Sequence, residues 1–164
     1  MTKPDFKSPR IENRKVFHDY FIEDKIECGI ALVGSEVKSL RMGLAQLAEA
    51  YGDIQSGELW LLNAYIDPYK QSAIVYNHEP RRPRRLLIHR REIRRLAEQV
   101  DRSGMTLVPL AIYFKEGRAK VEMGVARGKK SHDKRASIRQ KEADRELRRA
   151  TMLAVGFLLS NACP

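Results

Sequence analysis

Residues 106–128, TLVPLAIYFKEGRAKVEMGVARG, predict two β-strands joined by a tight turn at Glu116 and Gly117. Apolar and polar positions alternate along the second half, which is typical of a strand with one buried face. Pro109 has no backbone N–H to donate, so we expect its strand to lie at a sheet edge or to carry a bulge. The apolar positions of the alternation are Val121, Met123 and Val125, and the polar positions are Lys120, Glu122 and Gly124.

Two further stretches towards the N-terminus also predict strands. Residues 50–66, AYGDIQSGELWLLNAYI, fit two strands about a turn at Ser56 and Gly57. Residues 20–34, YFIEDKIECGIALVG, are β-like up to the closing glycine. Several short strands linked by glycine turns predict a mainly β protein built as a small antiparallel β-barrel.

Two segments predict peripheral helices. In residues 35–43, SEVKSLRMG, Ser35 is a candidate N-cap, and Gly43 fits the position beyond the C-cap. Residues 88–104, IHRREIRRLAEQVDRSG, place apolar residues at helical spacing and end in a glycine that stops the helix. The buried stripe predicted for this second helix is Ile93, Leu96, Ala97 and Val100, and the arginines left on its outer side are Arg90, Arg91, Arg94 and Arg95.

The net charge of +10 is concentrated in two stretches of the chain. Residues 81–95 carry +7 and residues 127–149 carry +6, so the rest of the chain sums to −3. A nearly neutral body with two cationic stretches favours a polyanionic partner over solubility alone as the reason for the charge.

Several function classes are disfavoured by what the sequence lacks. The N-terminus has no apolar stretch of a secretory signal, and Cys28 and Cys163 lack the spacing of a zinc site or a disulfide framework. We therefore expect a cytoplasmic protein with no metal site, no cofactor and no membrane partner. No catalytic residues are predicted, because no phosphate loop or HExxH motif is present. A metal-independent ribonuclease that uses histidine as acid and base is one alternative, and a constitutive ribosomal protein is another.

The last part of the sequence is charged and then apolar. Residues 133–150, DKRASIRQKEADRELRRA, favour a helix, but Ile138 and Leu147 are their only large apolar side chains. We predict a segment that is mostly unfolded alone and becomes helical when a polyanion covers its charges. The apolar run in residues 152–164, MLAVGFLLSNACP, is too short to span a bilayer. Packing on the barrel, self-association and an accident of this particular sequence all remain open as explanations.

Residues 13–43, NRKVFHDYFIEDKIECGIALVGSEVKSLRMG, resemble the opening of the small protein B family, the SsrA-binding (transfer-messenger-RNA-binding) proteins. Three further motifs follow in the order and at the spacing of that family: RPRRLLIHRREI, GMTLVPLAIYF and GKKSHDKR. Four motifs in order, covering about residues 13–149, make the resemblance specific. The apolar end departs from it, since tails in the family usually finish polar and basic.

The resemblance implies a barrel of the oligonucleotide-binding type with peripheral helices. Residues 1–12, with Pro4, Ser8 and Pro9 among mixed charges, indicate a flexible arm. The resemblance implies that an RNA-binding β-barrel domain (13–127) and a basic C-terminal tail (128–164) that is helical on the ribosome follow it. The implied activity is to bind the tRNA-like domain of transfer-messenger RNA and deliver it, with elongation factor Tu and GTP, to stalled ribosomes for trans-translation. The tail would probe the empty mRNA channel and contact small-subunit RNA at the decoding centre.

The resemblance also assigns residues of the body to the RNA surface. Phosphate repels a carboxylate, so Glu27 is expected to accept from base amino groups or to orient a neighbouring arginine, unless it is simply a solvent-facing strand residue. Leu87 occupies the place of an RNA-facing leucine in the family, and burial in the core is the alternative. The residues expected to bind the tRNA-like domain are Asn13, Arg14, Lys15, His18, Glu27, Lys38, Arg41, Leu87 and Lys120.

The motif GKKSHDKR, residues 128–135, is assigned to the ribosome. Its lysines and arginine suit phosphate contacts, the ring of His132 can stack on a nucleobase, and Asp133 can cap the following helix. The residues expected to bind the ribosome are Gly128, Lys129, Lys130, His132, Asp133, Lys134, Arg135, Arg139, Lys141 and Arg145.

Overall fold

The structure, a computed structural model, describes residues 9–71 and 77–129. Nine strands and three helices lie in these ranges. The strands are β1 (Ile11–Glu12), β2 (Tyr20–Ile30), β3 (Ala45–Gln46), β4 (Tyr51–Gln55), β5 (Glu58–Leu62), β6 (Tyr65–Ile66), β7 (Arg84–Leu87), β8 (Thr106–Lys115) and β9 (Arg118–Gly128); the helices are α1 (Arg14–Asp19), α2 (Gly34–Arg41) and α3 (Arg90–Ser103). The mainly β class is confirmed.

Six of the strands close into a ring. Their order is β8-β4-β5-β7-β2-β9, and β9 pairs back with β8, so both ends of the sheet are hydrogen-bonded to each other. Every pairing is antiparallel. β1 adds to the outer edge of β8, and β3 and β6 form a separate two-stranded sheet. Because closure pairs the strand edges, the ring is held by main-chain hydrogen bonds all the way round.

The predicted turns and the predicted bulge are confirmed. Ser56 and Gly57 both have positive φ, 51° and 73°, as do Glu116 and Gly117, at 51° and 75°. This is the geometry of a two-residue hairpin turn with the correct twist. The register of β8 against β9 shifts next to Pro109, where the missing N–H would otherwise interrupt the ladder.

The core fills the inside of the ring. Alternate residues of the strands point inwards, among them Leu59, Leu61, Val121, Met123 and Val125, all of them buried. The predicted stripe of α3 is confirmed, since Leu96 and Val100 pack against this cluster and Ile93 is buried. The four arginines assigned to its outer side are exposed.

Other expectations from the sequence need correction. Ser35 does not cap α2: the N-cap is Val33, whose N–H donates to Glu36 Oε2 at 2.9 Å, while Ser35 Oγ bonds Nδ1 of His78. Ile11 and Glu12 are not part of an arm, because their backbone pairs with Ile112 and Ala111.

Two boundaries and one burial pattern also change. Helix α1 was not foreseen, and Gly128, expected at the start of the tail, is the last residue of β9 and pairs with Tyr20. The half-buried alternation of β9 holds only in its first part. Gly124 and Ala126 are buried on the other face, where Leu110 and Val108 cover them.

Any side chain at Gly52 in β4 is expected to destabilise the fold. A Cβ there would lie 2.7 Å from Met123 Cε and 2.9 Å from Leu107 Cβ. Replacing Gly52 with alanine is therefore expected to lower the free energy of unfolding by about 1–3 kcal/mol through overpacking. Urea denaturation checks this, with Gly34→Ala as the control, because nothing lies within 4 Å of a Cβ at Gly34. Equal stability of the two variants would contradict the expectation.

The compact unit that contains the ring ends at Gly128. Residues 1–8 of the expected arm and residues 130–164 of the expected tail lie outside the described residues, as does Cys163. Cys28 is a buried free thiol, and burial raises its pKa to about 12. Within the described ranges, no helix is long and apolar enough to cross a membrane.

Candidate nucleic-acid interface

Strand register brings two of the predicted RNA-binding residues, Leu87 and Lys120, onto one outer face of the ring. Gly29 of β2 lies opposite Leu87 of β7 on one side and opposite Lys120 of β9 on the other. Lys120 in turn pairs with Tyr113 of β8. Residues directly opposite each other in a sheet point to the same face, so Leu87, Lys120 and Tyr113 form a row across four strands. Leu87 is 50% exposed, so the core alternative for this residue is wrong.

Glu27 lies at the centre of a polar cluster beside this row. Tyr113 Oη donates to Glu27 Oε2 at 2.5 Å, Lys115 Nζ lies 3.5 Å from the same oxygen, and Lys120 Nζ lies 3.7 Å from Oε1. The hydrogen bond from Tyr113 and the charges of the lysines lower the pKa of Glu27 below its usual value. Burial, and then the Glu27 carboxylate, raise the pKa of Tyr113 to about 12. At neutral pH the cluster therefore holds an ionised carboxylate and a protonated phenol.

The neighbours of Glu27 differ from those that the sequence predicted. The expected arginine partner is replaced by a tyrosine and two lysines, and Glu27 keeps a side chain that is 36% exposed. An ionised carboxylate accepts up to about four hydrogen bonds, so lone pairs remain for an amino group or a hydroxyl from outside. Lysines on either side attract phosphate, whereas the carboxylate repels it. The cluster is therefore suited to a base edge or a 2′-hydroxyl at Glu27, with phosphates on the lysines.

A second ion-pair group borders the cluster. Arg10 contacts Glu122 through Nη2, and its guanidinium lies 4.8 Å from the centroid of the Tyr113 ring. Lys25 Nζ lies 3.6 Å from the other oxygen of Glu122. Glu122 and Glu27 face each other across β2 and β9, so the two groups share one face of the sheet. Arg10 thus packs the N-terminal segment against the tyrosine that holds Glu27.

Asn13 is buried, not on the surface. It is 3% exposed, and its Nδ2 donates to the carbonyl oxygens of Leu47, at 2.7 Å, and Pro109, at 3.2 Å. Both amide hydrogens are thus used inside the protein, and Oδ1 is buried without a hydrogen-bond partner among the described residues. The expectation that Asn13 offers its amide donors to RNA needs correction: in this structure they fix the start of α1 against β8.

The other predicted residues of the N-terminal segment lie on α1. Arg14 and Lys15 are exposed, and His18 Nδ1 lies 2.9 Å from Asp19 Oδ1. Val16 is the buried side chain of this helix and packs in a small cluster with Val108, Leu110 and Ala126. Packing of Val16 thus leaves the two basic residues in solvent.

Lys38 and Arg41 are exposed on α2, and their side chains lie over different aromatic rings. Lys38 Nζ lies 5.0 Å from the centroid of the Tyr69 ring, and the guanidinium of Arg41 lies 5.6 Å from that of Phe114. Across the part of the chain that the structure describes, no hydrogen bond or ion pair links either of them to Glu27. The structure thus divides the exposed residues among those predicted to bind RNA between the Glu27 face, helix α1 and helix α2.

A buried ion-pair network joins α2 to the arginine-rich segment. Glu36 and Arg84 are both fully buried, and Arg84 Nε donates to Glu36 Oε1 at 2.8 Å. Arg82, partly exposed, donates to both oxygens of Glu36 at 2.8 and 2.6 Å. Burial alone would raise the pKa of Glu36, but the hydrogen bonds from Arg82, Val33 and Arg84 outweigh it and lower the pKa. Two of the eight arginines in residues 81–95 are therefore structural.

Sequence reasoning missed Glu36, Arg84 and Tyr113, each of which depends on a partner far away in the chain. Of the predicted ribosome-binding residues, only Gly128 and Lys129 are described, and Lys130, His132, Asp133, Lys134, Arg135, Arg139, Lys141 and Arg145 lie outside the described residues. Among the described residues, no group of three or more histidine, cysteine, aspartate and glutamate side chains is placed to hold a metal ion.

Known proteins resemble this chain over most of its length. The family model of the SmpB protein matches residues 10–153. An SsrA-binding protein of Roseiflexus sp. (strain RS-1) is 57% identical over 139 residues, which cover 85% of this chain and 88% of that protein. An SsrA-binding protein of Rhodospirillum rubrum is 54% identical over 136 residues, covering 82% and 85%.

One solved structure resembles it in fold as well as in sequence. It is described as "tmRNA-SmpB: a journey to the center of the bacterial ribosome". A chain of that structure superimposes with a TM-score of 0.64 at 51% identity, over 75% of this chain and 86% of the other.

Proposed function

The chain belongs to the SmpB protein family, and we propose on this premise that it binds transfer-messenger RNA and acts with it on the ribosome in trans-translation. The observation that carries the proposal is the identity of 57% with an SsrA-binding protein across most of both chains. The exposed row on the ring agrees with it, because Lys115 and Lys120 flank the ionised carboxylate of Glu27 and an exposed leucine lies on the same face.

We further propose the finer assignments that the resemblance implies. The closed ring is a barrel of the oligonucleotide-binding type, and its Glu27 face holds the tRNA-like domain. Elongation factor Tu with GTP takes part in delivery, and the basic tail reads the empty mRNA channel at the decoding centre. The protein makes and breaks no bonds in this role and works in the cytoplasm.

The Glu27 face combines two kinds of contact. Lys115 and Lys120 neutralise phosphates on either side, which supplies affinity that falls as salt rises. Glu27 itself repels phosphate and accepts from a base or a 2′-hydroxyl, which fixes the register of the RNA. Tyr113 is a positioning residue, because its hydroxyl holds one carboxylate oxygen and leaves the other towards Lys120.

Replacing Tyr113 with phenylalanine is expected to weaken binding of the tRNA-like domain by about 3- to 10-fold, since the carboxylate loses its neutral donor. Replacing Glu27 with glutamine is expected to weaken binding more, about 10-fold or above, since it removes the negative charge that accepts hydrogen bonds from the RNA. Fluorescence anisotropy with labelled RNA at fixed salt measures both. Tyr51→Phe is the matched control, because Tyr51 is an exposed tyrosine on β4 that makes none of the described contacts of the Glu27 cluster.

Comparing the RNA affinities of Tyr113→Phe and Glu27→Gln shows whether Tyr113 positions Glu27 for RNA binding. Normal binding by Tyr113→Phe together with weak binding by Glu27→Gln would show that Glu27 acts without being positioned. Normal binding by both would remove this face from the RNA interface, whereas a wild-type protein that ignores the RNA would refute the proposed function.

Two simple measurements separate the proposal from the alternatives. Incubating the protein with RNA and finding cleavage products would support a ribonuclease. Equal retention on all ribosomes, without enrichment on stalled ones, would support a constitutive ribosomal protein.

A further inference from the structure

A cleft of about 580 Å³ opens between the tip of the β4–β5 hairpin, strand β7 and the first turns of α3. Its volume lies in the range of about 300–1,000 Å³ that small-ligand sites occupy. Arginine and apolar side chains line it together, and the family resemblance assigned only Leu87 of these residues to RNA. The lining residues that matter here are Arg85, Leu87, Ile88, Arg90 and Arg94, with Glu58 at the hairpin.

The charges in the cleft are incompletely compensated. Arg90 and Arg94 are four residues apart on α3, so they lie on the same helix face and repel each other. Among the described residues neither has an ion-pair partner. Glu92, the acid between them in sequence, accepts from the backbone N–H of His89 at 3.3 Å. An anion between Arg90 and Arg94 would relieve the repulsion.

The third arginine of the cleft is held only weakly. Arg85 Nη1 lies 3.0 Å from Glu58 Oε1, and both side chains are about half exposed. Exposed pairs of this kind contribute little to stability, so a phosphate or a base can replace Glu58 as the partner of Arg85. Glu58 neutralises Arg85 when the cleft is empty, so the positive charge that attracts a phosphate comes from Arg90 and Arg94.

The floor of the cleft is apolar. Leu87 is 50% exposed and points outwards from β7, and Ile88 continues the chain towards α3. A splayed nucleobase stacks on apolar surface and on the plane of a guanidinium such as that of Arg85. An inorganic anion would use the arginines and leave this floor uncovered. The combination of arginines with an apolar floor fits a ligand with both a phosphate and a flat apolar ring.

We propose that this cleft binds one unstacked nucleotide of the RNA, with its phosphate on Arg90 and Arg94 and its base against Leu87 and Ile88. The proposal rests on RNA binding as the function of the protein and adds a second contact area to it. Since Leu87 also ends the row that contains Lys120 and Tyr113, the bound RNA would run from the Glu27 face into the cleft.

The first experiment compares two double variants of the full-length protein in anisotropy titrations with the tRNA-like domain. Arg90→Ala/Arg94→Ala is expected to weaken binding about 10-fold and to reduce the salt slope by about 1 or more, because each phosphate contact contributes to that slope. Arg91→Ala/Arg95→Ala removes the same charge from the same helix outside the cleft and is expected to change affinity less than about 3-fold. Equal losses in the two variants would show a general charge effect and overturn the proposal.

The second experiment tests the base. Removing single bases from the RNA is expected to reveal one position whose loss weakens wild-type binding about 5-fold or more and has no further effect on Leu87→Ala. Additive effects at every position would overturn the insertion of a base. A free nucleoside monophosphate at millimolar concentration is expected to bind the wild type but not Arg90→Ala/Arg94→Ala, and to compete with the RNA. Binding of the monophosphate without any competition with the RNA would assign the cleft to free nucleotides and overturn the RNA assignment. If the wild type binds the RNA but one of these experiments contradicts the cleft, the proposed function still stands and only the nucleotide site is refuted.

Discussion

Replacing Glu36 with glutamine is expected to lower the free energy of unfolding by about 3–5 kcal/mol. The carboxylate is fully buried and accepts from Arg82, from Arg84 and from the backbone N–H of Val33. Arg84 is also fully buried and donates to the carbonyl oxygens of Ala64 and Pro80. Glutamine would bring an amide N–H₂ against guanidinium donors and leave a buried positive charge uncompensated.

The matched control is Glu49→Gln, which also removes the carboxylate of an arginine pair. Arg81 Nη1 lies 3.0 Å from Glu49 Oε2, but the two side chains are 51% and 64% exposed. Exposed pairs are worth about 0–1 kcal/mol, so this variant should unfold almost like the wild type. Urea denaturation measures the free energy of unfolding of both variants. Equal stability of Glu36→Gln and Glu49→Gln would contradict the importance of the buried network.

Lowering the pH should reduce the difference in free energy of unfolding between the wild type and Glu36→Gln. The pKa of Glu36 is lower in the folded protein than its ordinary value of about 4.3. A carboxyl with a lowered pKa stabilises the fold above its unfolded pKa, and this contribution is lost as the pH falls through the folded pKa. The difference in stability between the two proteins should thus be constant near neutral pH and shrink below about pH 4.

The buried network connects two regions of the protein that are candidates for RNA binding. Glu36 belongs to α2, the helix that presents Lys38 and Arg41, while Arg82 and Arg84 lead into β7 and the cleft. The bond between His78 and Ser35 adds a second connection between α2 and the same segment. Loosening the network would therefore disturb two candidate RNA-binding regions together, so the stability of a Glu36 variant has to be measured before its RNA affinity is interpreted.

Features with short-range signals were predictable from the sequence. The two hairpin turns need residues with positive φ, and the glycines of Ser56-Gly57 and Glu116-Gly117 indicate them in the sequence. The apolar spacing of α3 predicted its buried stripe, and the proline in β8 predicted the bulge. These patterns depend on neighbours within a few residues, which a sequence shows directly.

Features that depend on distant partners were not predictable. Glu36 bonds Arg84, 48 residues away, and Glu27 bonds Tyr113, 86 residues away. An acidic residue near a helix start looks like a favourable interaction with the helix dipole, and nothing local indicates that it is buried. The two-residue strand β1 has the same cause, because its partners Ala111 and Ile112 lie about 100 residues downstream. Only the closed ring brings these pairs together.

Removing residues 130–164 is expected to abolish tagging of peptides on stalled ribosomes while leaving affinity for the tRNA-like domain within about 3-fold of the wild type. The last strand of the ring ends at Gly128, which still pairs with Tyr20, so a cut after Lys129 keeps every strand pairing that the structure describes. The removed segment holds most of the second cationic stretch, and phosphate contacts made by it would be lost entirely. Translation of a message without a stop codon, with transfer-messenger RNA and elongation factor Tu present, measures tagging.

Shorter changes locate the effect within the tail. His132→Ala and Lys134→Ala/Arg135→Ala should reduce tagging strongly if GKKSHDKR contacts the decoding centre, whereas removal of residues 152–164 alone tests the apolar end. Full tagging by the protein that lacks residues 130–164 would refute the division of labour between ring and tail. Loss of RNA binding by the same protein would instead extend the RNA site beyond the ring. The Glu27 face and the cleft remain complete in the truncated chain. A truncated protein that binds the RNA normally but does not support tagging would therefore show that RNA binding and ribosome sensing belong to different parts of the molecule.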